Sequence, residues 1–175
     1  MKKVNCFFWM GLLFFLLASF GPKPKEKINW ISFAQLEEAY TKNPKPILID
    51  LYTNWCGWCK EMDRTTYSND KVAAYINQNY YAVKYNAESK EEVLFNGKTY
   101  QYNTQYKTND LAMFLSFGEL SYPNTIFLSA LNSRPAPLAG YLKPKEIEAP
   151  LKYFSERKSE QQTFVEFNKQ LKKEW

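Results

Sequence analysis

Four residues after a continuous apolar run, Ile47-Leu48-Ile49-Asp50-Leu51-Tyr52, the chain presents a cysteine pair at Cys56 and Cys59. A run apolar at successive positions, with no alternation, reads as a central strand buried on both faces. Its single acid, Asp50, has to be paired or put to use, because a carboxylate within a buried strand is costly to ionise and its pKa should rise. The motif Trp55-Cys56-Gly57-Trp58-Cys59-Lys60 then runs into a helix through Met62. A cysteine at the first turn of a helix faces unpaired N–H groups and the positive end of the dipole, both of which stabilise thiolate. In such settings the thiol pKa falls from about 8.5 into the range of roughly 3.5 to 7.5. Two residues between the cysteines let the second sulfur reach the first. Cys56 is therefore expected to be the exposed attacker and Cys59 the more buried resolver. The alternative, a structural staple, is weak because closing so short a loop removes little entropy from the unfolded chain.

The 175-residue chain has three cysteines and no histidine, which excludes several chemistries. A tetrahedral zinc site needs about four ligands, and without histidine the cysteines do not supply a typical one. Covalent haem attachment needs a histidine after the second cysteine, where this chain has Lys60. Ser-His-Asp and Cys-His catalysis lack their base. No cofactor and no metal are expected. The net charge of +5 is spread along the chain, so no nucleic-acid partner is expected either. At 45% hydrophobic and 18% aromatic residues the chain has material for one packed domain.

Residues 1–20 read as an export segment: Met1-Lys2-Lys3 is a short basic start, and the run from Val4 to Phe20 is almost wholly apolar. It is either a cleaved signal peptide or a retained membrane anchor. Ala18 is a poor cleavage position because Leu16 lies two residues upstream, and the run is near the lower limit for spanning a bilayer. Cys6 would leave with a cleaved peptide, so the mature domain would hold both its cysteines in one motif, in an oxidising compartment. Residues 21–28 read as a polar, Pro-containing linker, and 29–175 as the domain.

Ser32 and Gln35 form a capping-box signature ahead of Phe33, Leu36, Ala39 and Tyr40 at helical spacing. Ser68 or Asn69 caps a second stretch carrying Val72, Ala73 and Ile76. A strand follows at Tyr80–Tyr85. Strand, helix and strand in succession predict a parallel pair with a crossover. Asn96-Gly97, flanked by Val93-Leu94-Phe95 and Lys98-Thr99-Tyr100, predicts a hairpin. Thr108 or Asn109 caps a short helix ending near Gly118. Thr125–Leu128 reads as a strand with an edge partner over 136–142. Lys143-Pro144 opens a helix that Pro150 should kink or split, and 160–173 reads as a final helix on Phe164, Phe167 and Leu171.

Taken together, Ile47–Lys60 closely resembles the active-site strand and loop of thioredoxin, and the resemblance extends over about residues 30–155. It is closest to exported thioredoxin-like proteins and to the thioredoxin-like domain of the bacterial membrane-embedded disulfide reductase. The resemblance implies an α/β, three-layer thioredoxin-like fold with a central mixed sheet flanked by helices. It marks residues 88–121 as a hairpin-containing insertion before the cis-proline, and 158–175 as a C-terminal helical extension. By the same resemblance Asp50 is the buried acid beneath the disulfide and Lys84 its partner. Tyr122-Pro123 is the pair containing the cis-proline, and Gly140 the late-strand glycine. Trp55, Gly57, Trp58, Tyr122 and Pro123 would line the substrate-binding surface, with core packing as the alternative for the tryptophans.

The activity so implied is exported thiol-disulfide exchange, periplasmic or membrane-attached. Client proteins bearing disulfides would be the substrates, and a membrane-embedded or thiol donor would restore the dithiol. Thioredoxin has proline where this chain has Trp58, and strongly oxidising relatives have histidine there, so a reductase or isomerase is expected. The alternative is a non-catalytic docking module in an envelope complex, with the insertion and its tyrosines as its recognition element.

Overall fold

The computed structural model describes residues 25–156 and 158–175. The expected export segment, Cys6 and the first part of the linker lie outside the described residues. Over its described part the linker is docked. Asn77 donates from its amide to Glu26 and to the Lys27 carbonyl, at 2.8 Å each, and Ile28 is buried in the core.

The elements follow in chain order: strand β1 (Trp30–Ile31), helix α1 (Phe33–Lys42), β2 (Ile47–Tyr52), α2 (Gly57–Thr65), α3 (Asp70–Asn79) and β3 (Tyr81–Asn86). Residues 88–121, the expected insertion, hold β4 (Val93–Phe95), β5 (Lys98–Tyr100), β6 (Tyr102–Asn103), β7 (Thr108–Asn109) and α4 (Asp110–Leu115). After it come β8 (Asn124–Leu128), β9 (Ala136–Ala139), α5 (Pro144–Ser155), a turn of 3₁₀ helix (Lys158–Glu160) and α6 (Phe164–Gln170). The main sheet runs β1-β3-β2-β8-β9. β1, β2 and β3 are mutually parallel, while β8 and β9 are each antiparallel to their neighbours. This is the mixed sheet that the resemblance implied.

Local chemistry sets the element ends. The Ser32 hydroxyl accepts the Gln35 N–H and the Gln35 side chain accepts the Ser32 N–H, closing the capping box of α1. Asn69 and Asn109, not their neighbours, cap α3 and α4. Asn96 and Gly97 take φ of 50° and 71°, the left-handed pair that a tight hairpin turn demands. At Gly140, φ is +101°, and β9 has ended one residue earlier, short of the expected 142.

Three expectations need correction. β1 was not foreseen: two residues carry no periodicity, and the strand exists because Trp30 and Ile31 pair with Ala82 and Val83. Pro150 does not split α5, which is continuous from 144 to 155. Pro150 itself is buried, and Ile147, Ala149 and Leu151 around it are at most 1% exposed, so packing outweighs the lost backbone bond. The final helix is shorter than 160–173, because Thr163 caps it at Phe164 and the backbone turns extended at Leu171.

Each face of the sheet carries its own core. Phe33, Leu36, Ile49, Leu51, Leu111 and Leu115 pack on one side, under α1 and the insertion. Leu48, Met62, Ile76, Phe127, Ile147 and Leu151 pack on the other, under α2, α3 and α5. The insertion is tied at its base, where the Ala87 carbonyl accepts both the Asn109 N–H and the Thr108 hydroxyl at 2.7 Å. The last residues return to α5: the Glu148 carboxylate, fully buried, accepts the N–H groups of Glu174 and Trp175 at 2.9 to 3.1 Å. At the sheet edges, β1 is only two residues long, and β9 contains Pro137 and follows Pro135.

Candidate active site

Cys56 is the N-cap of α2 and Cys59 lies in its first turn; the two form a disulfide. Cys56 Sγ also accepts the Cys59 N–H at 3.0 Å, so one sulfur both caps the helix and carries the bond. The expected contrast in exposure is absent: Cys56 is 4% exposed and Cys59 3%. Bonding folds the Cys56 sulfur onto the helix start, so in the oxidised form the two differ in helix position and not in burial.

Asp50, on the strand β2 that precedes this helix, is 1% exposed. The parallel register of β2 and β3 sets it opposite Lys84, and the Lys84 ammonium donates to its carboxylate at 2.7 Å. Its other oxygen has no hydrogen-bond partner among the described residues. Burial pushes the Asp50 carboxyl up to about 6, against the opposing pull of Lys84. Lys84 also bonds Asp63 on α2 and lies over the rings of Trp30, Tyr52 and Tyr67 at 5.0 to 5.9 Å. Burial lowers the Lys84 ammonium, but the two carboxylates outweigh it and leave the group above the ordinary lysine value. A cavity of about 340 Å³ borders Lys84, Asp63 and Tyr67.

The tryptophans are not core residues. Trp55 is 68% and Trp58 64% exposed, and Gly57 between the cysteines is exposed too. Trp55 donates from its indole N–H to Glu88 at 2.8 Å and meets Tyr122 edge-on at 6.0 Å. That contact sets Tyr122, whose peptide bond to Pro123 is cis, against the residue that precedes Cys56. Trp58 lies against Tyr141, with ring centroids 5.5 Å apart. Asp63, Glu88, Tyr67 and Tyr141 were not singled out in the sequence. Only Asp63 left a signal, seven residues after Cys56 and so two turns along the same helical face.

On this sheet order, a cysteine couple so placed defines the class: a thioredoxin fold with a disulfide at the start of the helix that follows its central strand. Residues 33–155, more than half of the chain, match the family described as Thioredoxin-like domain, and the chain belongs to it. The thiol:disulfide interchange protein DsbD of Ralstonia nicotianae is 26% identical over 125 residues, covering 69% of this chain and 18% of that protein. The protein of the same name from Pectobacterium atrosepticum is 36% identical over 47 residues, 27% of this chain and 8% of its own length. The chain thus spans less than a fifth of these curated relatives. Among solved structures, DsbH oxidoreductase superposes with a TM-score of 0.56 at 15% identity, covering 80% of this chain and 92% of that one. A thioredoxin from Thermus thermophilus superposes with a TM-score of 0.53 at 13% identity, over 72% and 85%. At these identities the likeness is one of fold.

Proposed function

We propose that the protein is an exported thiol-disulfide oxidoreductase that reduces or isomerises disulfides in client proteins. The observation that carries this reading is the disulfide between a helix N-cap and the first turn of the same helix, in a chain whose preceding strand buries a half-paired carboxylate. In the reduced protein the Cys56 thiolate attacks a client disulfide, forming a mixed disulfide and releasing one client thiolate. Cys59 gives its proton to Asp50 and attacks Cys56 Sγ, which expels the second client thiolate. The client gains two electrons and the Cys56–Cys59 bond re-forms. A thiol donor or a membrane-embedded one then supplies two electrons to open it.

Export is supported by the basic and then apolar pattern of residues 1–20. Among the described residues no helix is long and apolar enough to cross a membrane. The exposed rings of Trp55 and Trp58 also suit the competing reading, a docking module without turnover. Insulin reduction driven by a dithiol donor decides between them: catalysis requires wild type to exceed Cys56→Ser clearly. Trapping gives a second measure, since Cys59→Ser should accumulate mixed disulfides with clients. Equal rates for wild type and Cys56→Ser, with nothing trapped, leave only the docking module.

A further inference from the structure

The insertion creates a groove of about 570 Å³ between α1, the end of β3 and the first strand of the hairpin. Phe33, Val93 and Leu94 supply an apolar lining, and Leu94 is 57% exposed. The charged lining is acidic: Glu37, Glu91 and Glu92. Lys84 also borders it, but its ammonium is committed to Asp50 and Asp63. Glu37 accepts the Asn96 N–H and Glu92 the Gln101 amide, both at 2.6 Å, so neither is neutralised by a cation. The Glu91 carboxylate has no hydrogen-bond or ion-pair partner among the described residues.

A separate observation concerns Tyr85, which lines the same groove and is 7% exposed. Its buried hydroxyl lacks a partner among the described residues, and such groups are rare because they are costly. Burial raises the Tyr85 hydroxyl well above its ordinary pKa and the charge of Glu91 adds to the shift, so the orphan phenol lies within the field of the unpaired carboxylate.

We propose that this groove docks an extended protein segment carrying a lysine or arginine beside an apolar side chain. The cation meets Glu91 and Glu92 at the rim and gives the Tyr85 hydroxyl the partner it lacks, while the apolar neighbour covers Leu94. Charge selects the occupant, because three carboxylates with no free cation beside them among the described residues reject acidic or phosphorylated segments. The apolar lining suits the long stem of a basic side chain. The groove is joined to the redox face through the chain: Ser89 lines it, and the preceding Glu88 accepts the Trp55 indole N–H.

The test is titration of the isotope-labelled protein with a capped peptide of alternating leucine and lysine, followed by NMR. Saturable shifts at Tyr85, Glu91 and Leu94 are expected, weakening with added salt. A variant carrying Glu37→Gln, Glu91→Gln and Glu92→Gln should bind about tenfold more weakly, since exposed charge pairs each contribute up to a few-fold. Tyr85→Phe should weaken binding at least about tenfold through the loss of one hydrogen bond to a charged group. Both variants should keep wild-type reduction of a small-molecule disulfide, which separates this site from the redox couple. Unsaturable shifts, equal binding of a leucine–glutamate peptide, or unchanged affinity in the triple variant would each overturn the proposal.

Discussion

Asp50 and Glu148 are both buried carboxylates beside a lysine, yet their surroundings drive them in opposite directions. Asp50 has Lys84 on one oxygen and nothing on the other, and its pKa rises to about 6. Glu148 receives two backbone N–H groups, one of them shared by both its oxygens, and Lys152 at 2.9 Å, and its pKa falls below the ordinary glutamate value despite burial. Burial alone therefore does not fix the charge of an acid; the number of donors around it does. The strand acid is under-coordinated and ready to take a proton. The helix acid is saturated and holds the end of the chain.

The sharpest way to break this contrast is Glu148→Ala. It strands two backbone N–H groups and the Lys152 ammonium, and should lower unfolding free energy by about 3 to 5 kcal/mol in a denaturant titration. A loss below about 1 kcal/mol would mean the latch is ornamental. In wild type the depressed Glu148 pKa makes this stabilisation full above the ordinary glutamate range. It is lost as pH falls through the lower native value.

Asp50→Asn should act with the opposite sign. Because the native Asp50 pKa lies above its ordinary 3.8, the protein loses stability as pH rises from about 4 through about 6, and the loss is complete above that. A shift of this size corresponds to a ceiling of about 3 kcal/mol. Allowing for the partner that Lys84 loses, the variant should gain about 2 kcal/mol at pH 8 and nothing at pH 4. The same variant should resolve mixed disulfides more slowly and lose a rate inflection near pH 6. A pH-independent effect on stability would remove the argument for Asp50 as proton acceptor. The smallest effect belongs to Glu174→Gln. Its carboxylate lies 3.5 Å from Lys152 and its side chain is 69% exposed, so the cost should stay under about 0.5 kcal/mol if backbone donors, not charge, hold the tail.

The parts of the site legible in the sequence were those written in consecutive residues: an apolar strand with one acid, a cysteine pair opening a helix, a Tyr-Pro step before a strand. Asp63 and Tyr67 were harder to see because their relevance depends on where Lys84 points, and that follows from the parallel register of β2 with β3. The Glu148 latch joins residues 26 and 27 positions apart, and nothing local to α5 announces it. Pro150 shows the converse error, a strong local rule outweighed by packing. The Asn96-Gly97 turn was readable because left-handed backbone leaves its mark on residue choice.

Neither border of the main sheet offers a usable row of donors to another chain. On one side β1 ends after two residues, and on the other Pro135 and Pro137 remove N–H groups from the outward row of β9. Crowded among copies of itself, the main sheet offers its neighbours side chains and no long strand edge on which to seed a fibre.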